Sequence, residues 1–230
     1  YDATFGFTNI TAYDNTFTGG TFTANTTGTS KVDISTAAMV LTQDQTVYAL
    51  RTNQNISSGT GQYNTLTFAS GLTNDDRGGL LTTGTPTIAT NLKFGNNGDK
   101  EGIIYNTGNT TLSGDLYAGS ITKFGAGTLI VGKDQTAAAN GTGFSGAWTV
   151  NEGALTLNTF GASGTGTITL NSSSQNTATG TTLTLAAAPG SSLNGQYTMG
   201  RIIAVDNAII SATPGTDTAI GIGDLEINST

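Results

Sequence analysis

The 230-residue chain contains no cysteine and no histidine. The first absence removes disulfides and thiolate metal sites. The second removes imidazole acid–base catalysis and His-ligated zinc, so many enzyme classes fall together. Charge is scarce too: 8 Lys plus Arg stand against 15 Asp plus Glu, a net charge of −7 at pH 7. The basic residues are scattered, whereas a phosphate-binding face needs them clustered, so no nucleic-acid partner is expected. No apolar run approaches the ~20 residues of a membrane helix, and the chain is read as not membrane-spanning. It opens on YDATFGF without a basic or apolar leader, so any signal peptide is expected to have been removed already.

What the chain does contain is 46 Thr, 33 Gly and 20 Asn, with 36% hydrophobic residues. Threonine and the other β-branched residues fit a pleated surface, and Gly and Asn supply turns. Only 10% of the residues are charged, and apolar strands recur to the end, which argues against a disordered chain. Apolar residues alternate with threonine: Leu129 and Val131 in GTLIV, Trp148 and Val150 in AWTVN, Leu155 and Leu157 in GALTLN, Ile168 and Leu170 in GTITLN, Leu183 and Leu185 in TTLTLA. Period two with one apolar face reads as a half-buried strand. The strands are short and their spacing wanders, from 13 residues (Leu155 to Ile168) to 26 (Leu129 to Leu155). A sandwich of hairpins would show tight Asn-Gly or Asp-Gly loops between longer strands. A stacked solenoid tolerates uneven rungs, because insertions bulge from one side. The fold class expected is all-β, a right-handed parallel β-helix of about ten rungs. Residues 1–30 are read as an N-terminal cap or edge segment, 31–194 as the solenoid, and 195–230 as terminal rungs or a subunit-contact segment.

Within the solenoid, ITKFGAGTLIV followed by FSGAWTVNEGALTL resembles the autotransporter-associated β-strand repeat of bacterial passenger domains. Lys123, Gly125, Gly127, Thr128 and Leu129 match its first half, with Val131 in place of a leucine. Phe144, Gly146, Thr149, Val150, Gly153, Leu155 and Leu157 match its second. Trp148 stands where the family is small or polar, and the spacer GKDQTAAANGTG is longer than usual, which implies a local excursion from the wall. The match spans 121–157, with a looser likeness reaching back to YNTLTFASG. The resemblance implies a parallel β-helix exported to the bacterial cell surface, usually inside a larger chain, with no catalytic residue and no cofactor. From the residues themselves, Gly125, Gly127 and Gly153 are placed at rung corners needing positive φ or a close backbone approach.

Other candidates are weaker. Asn74–Gly79 (NDDRGG) holds adjacent carboxylates, but Asp75 and Asp76 on one strand would point to opposite faces, whereas glycoside hydrolysis needs two in fixed opposition. Asn96–Gly102 (NNGDKEG) lacks the ligand spacing of a calcium loop. Both read as surface turns. Thr pairs such as Thr167/Thr169 and Thr182/Thr184 have the look of an ice-binding ladder, though rungs so uneven are expected to break the register of the hydroxyls. Tyr63, Tyr105 and Tyr117 could stack on sugar rings. Two apolar strands near the end, Arg201–Val205 and Ala208–Ser211, make Arg201, Ile202, Ile203, Val205, Ile209 and Ile210 candidate subunit contacts, since an open solenoid end invites another strand. The function expected is a non-enzymatic, extracellular structural solenoid, spacer or subunit of a surface filament. Its partners would be a second copy end to end, the continuation of a larger chain, or, for an adhesin, a surface glycan or matrix ligand.

Overall fold

A computed structural model describes residues 13, 15–17, 20–22, 30–61, 63–69, 78–136, 143–171, 180–186, 195–213 and 220–228. Every element among them is a strand. β1 (Asn15–Phe17) and β2 (Gly20–Phe22) come first. Four three-sided rungs follow: β3 (Lys31–Ile34), β4 (Met39–Leu41) and β5 (Gln45–Val47); β6 (Ala49–Thr52), β7 (Ile56–Ser58) and β8 (Thr65–Phe68); β9 (Gly79–Thr82), β10 (Thr87–Ile88) and β11 (Asn91–Phe94); and β12 (Glu101–Asn106), β13 (Asn109–Leu112) and β14 (Leu116–Tyr117). Next are β15 (Ser120–Phe124) with β16 (Thr128–Val131), and β17 (Ala147–Val150) with β18 (Ala154–Leu157). The chain finishes with β19 (Ile168–Leu170), β20 (Thr182–Ala186) and β21 (Gly195–Gln196); β22 (Arg201–Val205), β23 (Ile209–Thr213) and β24 (Ile220–Gly221); and β25 (Asp224–Asn228).

All pairings are parallel and connect each rung to the next. A ten-stranded sheet runs β1-β3-β6-β9-β12-β15-β17-β19-β22-β25, a nine-stranded sheet β2-β4-β7-β10-β13-β16-β18-β20-β23, and a four-stranded sheet β5-β8-β11-β14. The protein is therefore a parallel β-helix, the fold expected from the alternation of apolar and threonine residues. Rungs vary from 17 residues, where Asn15 pairs with Val32, to 34, where Ile168 pairs with Ile202. The surplus is placed in the connections, so the ladders stay in step.

Inward positions stack into columns. In the ten-stranded sheet Val32, Leu50, Leu80, Ile104, Lys123, Val150, Leu170, Ala204 and Ile227 follow one another in register. In the nine-stranded sheet Met39, Ile56, Ile88, Leu112, Val131, Leu157, Leu185 and Ala212 do the same. Nearly all of these side chains are buried, each contributing about 1.5–3 kcal/mol for a Val, Leu or Ile. In the four-stranded sheet Phe68 stacks on Phe94, 4.9 Å between centroids and 13° between planes. Gly102, on the facing sheet, makes that possible: a Cβ there would lie 2.6 Å from the Phe94 ring.

The corners are lined by glycines on successive rungs. A Cβ on Gly108 would strike the Gly84 carbonyl, one on Gly127 the Gly108 carbonyl, and one on Gly153 the Gly127 carbonyl. At another corner Gly119, Gly146 and Gly166 repeat the relation. Gly125 (φ 84°) and Gly153 (φ 71°) also hold left-handed backbone that L side chains rarely adopt, so the expected corner glycines are found there. Gly127→Ala should lower stability by about 2 kcal/mol or more, through displacement of the rung beneath. Gly132→Ala, whose new Cβ would meet nothing nearer than 3.6 Å, should be nearly neutral. Equal urea midpoints for the two variants would contradict this packing.

Candidate functional site

Lys123 is the residue that a core of this kind least predicts. It lies on β15 in the aliphatic column between Ile104 and Val150, and its solvent exposure is 0%. A buried ammonium is tolerated only when it is hydrogen-bonded. The Lys123 Nζ donates to the Gly125 carbonyl at 2.8 Å and to the Glu152 carbonyl of the next rung at 2.7 Å. The Gly125 amide in turn donates to Glu152 Oε2 at 3.1 Å. One side chain thus closes its own corner and ties it to the rung above. The neighbouring corners use shorter polar groups for the same purpose. Thr52 Oγ1 bonds both the amide and the carbonyl of Gln54, each at 2.9 Å, the Thr82 and Thr110 hydroxyls meet at 2.6 Å, and Asn106 Nδ2 donates to the Gly108 carbonyl at 2.8 Å.

The rest of the repeat falls around this corner. Leu129, Val131, Val150, Leu155 and Leu157 are fully buried, Thr128 faces outward at the start of β16, and Gly146 rests on the Gly119 carbonyl. Trp148 fills the interior, donating Nε1–H to the Ser163 carbonyl at 3.0 Å and meeting the Phe144 ring edge-on at 5.7 Å. Gln135 carries no signal in the sequence, where its whole segment reads as an excursion from the wall. Its side chain is buried and stands in for a strand: Oε1 accepts from the Leu116 amide at 2.9 Å and Nε2 donates to the Gly114 carbonyl at 3.0 Å. A glutamine in a polar spacer is silent in sequence because its partner is backbone 19 residues away.

The candidate subunit contacts are divided by the structure. β22 is paired on both sides, with β19 and β25, and Ile202 is fully buried, so Arg201, Ile202, Ile203 and Val205 do not form a free edge. The Arg201 guanidinium instead pairs with Glu226 of β25 at 3.0 Å. Ile209 and Ile210 do lie on an edge strand, β23, where Ile209 is 50% exposed. In the ten-stranded sheet β25 pairs on one side only among the described residues, and there Leu225 (46%) and Ile227 (74%) are exposed although they continue inward columns.

Of the aromatic candidates, Tyr63 is exposed, whereas Tyr105 and Tyr117 are half-buried. Of Asn96–Gly102, residues 96–100 form a turn after left-handed Gly95, with left-handed Gly98 and a surface Lys100–Asp99 pair at 3.6 Å, and Glu101 and Gly102 begin β12. Asn74–Arg77, with both adjacent carboxylates, lies outside the described residues. The strands keep register across the uneven rungs, because the uneven lengths sit between strands, but Ala154 interrupts the column of Thr128 and Thr182, and Ile130 and Ser211 bound that of Thr156 and Thr184. Among the described residues no group of three or more acidic side chains converges as a metal site would require, and no helix is long and apolar enough to cross a membrane. No family model, curated protein or solved structure matches this chain.

Burial pushes the Lys123 ammonium down from 10.5 to about 8, partly opposed by the Glu152 charge. The unfolded chain therefore keeps this proton to higher pH than the folded chain, and stability rises between pH 8 and about 10. Burial pushes the Tyr197 phenol up from 10.0 to about 12. The folded chain then holds a proton that the unfolded one sheds, so stability falls above pH 10. Thermal melts from pH 7 to 11 should pass through a maximum. Lys123→Met should erase the rising limb and keep the fall, while stranding two carbonyls at a cost of about 1–3 kcal/mol. A rising limb that persists in Lys123→Met would place its origin elsewhere.

Proposed function

We propose that this chain is a non-enzymatic structural β-solenoid of the bacterial cell surface, a rigid spacer or filament subunit. The observation that carries the reading is the unbroken stack of parallel rungs, of which the last described strand, β25, pairs on one side with β22. There the columns that fill the rod are exposed at Leu225 and Ile227, and among the described residues no strand pairs with the far side of β25. Such an edge accepts a further strand. The likeness of 121–157 to the passenger-domain repeat, together with the threonine-rich wall, supports export to the extracellular surface.

Electron microscopy across a range of protein concentrations tests this. A single chain should measure roughly 45 Å along the axis, from ten strands about 4.8 Å apart. Lengthening of the rods with concentration, stopped by Ile227→Lys, would make the chain a filament subunit. Rods of constant length would make it a spacer, with β25 covered by further rungs of a longer chain. Sugar release from a polysaccharide by the purified protein would overturn the structural reading. The exposed ring of Tyr63, 75% accessible, favours the second reading of an adhesin or glycan-binding module. Retention on a glycan surface that Tyr63→Ala abolishes would support it.

A further inference from the structure

The two long sheets differ in charge. The ten-stranded sheet carries Lys31, Asp33, Arg51, Glu101, Lys123, Arg201, Asp224 and Glu226 within its strands, whereas no residue of the nine strands of the other sheet is charged. Inward positions account for part of that neutrality, since both interiors are apolar apart from Lys123 and the corner groups. The outward positions account for the rest. Thr87, Thr111, Ile130, Thr156, Thr184 and Ser211 form one outward column in register, and each is partly or fully exposed. Alongside it Thr128, Ala154, Thr182 and Ile209 form a second. No aromatic side chain stands in either column, which leaves a flat surface of hydroxyls and methyls.

We infer that this neutral face is a lateral contact on which a second copy of the chain packs, its own neutral face against the first. The inference rests on the structural reading above and names a partner for the side of the rod rather than for its end. Charge selects the occupant. Two chains that each carry −7 repel one another, and a side-by-side approach through the nine-stranded sheet brings no strand charges together and leaves none buried without a partner. The surface is also self-complementary, as a two-fold contact between identical chains requires, with methyl meeting methyl and threonine hydroxyls able to donate or accept. Its size sets the strength. Nine strands about 4.8 Å apart and four residues wide give roughly 500 Å² on each copy, or about 1,000 Å² for the pair. That is the lower limit for a specific interface, so the pair is weak in dilute solution. Chains held on one surface meet at effective concentrations on the order of millimolar, where weak contacts fill.

The absence of cysteine makes the test direct. Thr156→Cys and Thr149→Cys place one thiol at half-buried outward threonines of strands consecutive in the chain, β18 on the neutral sheet and β17 on the charged one. Under mild oxidation the Thr156→Cys protein should form disulfide-linked dimers at least tenfold faster than the Thr149→Cys protein. In sedimentation velocity the parent chain should shift towards a dimer as concentration rises, and Ile130→Lys with Thr184→Lys should abolish the shift while leaving circular dichroism unchanged. Equal cross-linking rates, with a monomer at every concentration, overturn the inference. Retention of such a monomer on ice or crystalline cellulose would overturn it too, and would assign the face to a crystalline solid. Rods that lengthen end to end but never associate side by side, with equal cross-linking rates for the two cysteine variants, would overturn the lateral contact alone and leave the filament reading intact.

Discussion

The structure depends on one constraint: each rung must satisfy its backbone hydrogen bonds with the rungs directly above and below, in parallel and in register. Side chains at equivalent positions are then forced to lie about 4.8 Å apart, so a residue is judged less by its neighbours in sequence than by the two in its column. Aliphatic residues meet this condition for most inward positions, from Val32 to Leu170. Where the chain turns, the same spacing brings a backbone carbonyl under the next residue's Cβ, and glycine is repeated at Gly108, Gly127 and Gly153 for that reason.

Lys123 shows how a buried charge fits the same geometry. Its column neighbours are Ile104 and Val150, so the stem replaces an aliphatic side chain and the ammonium reaches the corner. Two carbonyls on consecutive rungs receive it. Burial depresses its proton affinity, and in return the side chain joins the corners of two rungs. Gln135 solves a related problem on the third side, where its amide supplies both halves of a missing strand pairing to Leu116 and Gly114.

Outside, the two long walls have separate chemistries. The ten-stranded wall carries ion pairs such as Arg51–Asp33, bidentate at 2.8–2.9 Å with the Tyr13 ring 4.4 Å from the guanidinium. That pairing holds the Asp33 carboxyl below its usual range. Among the described residues the strands of the nine-stranded wall carry no charge, and their outward positions are mostly threonine and serine, with Val40, Asn109, Ile130, Ala154 and Ile209 among them. The two walls thus differ in strand charge, although both belong to the same stack of rungs.

How much of this was legible in advance follows from the range of each interaction. Alternation of apolar residues with threonine is local, and it was enough to place β16, β17, β18, β19 and β20 and to orient Leu129, Val150, Leu155 and Leu157 inward. Uneven spacing excluded hairpins and pointed to a solenoid, and the corner glycines at Gly125 and Gly153 could be read from their place between strands. The pairing of strands 17 to 34 residues apart was not local. Only the stacked structure decided that β22 is covered by β25, that Ile227 continues an inward column, and that strands on uneven rungs remain in register. It also decided that Lys123 is inside. Sequence specifies which face of a strand is apolar, because that is a property of successive residues. What stands above and below each residue is a property of rung closure, which exists only once the chain has wound back on itself.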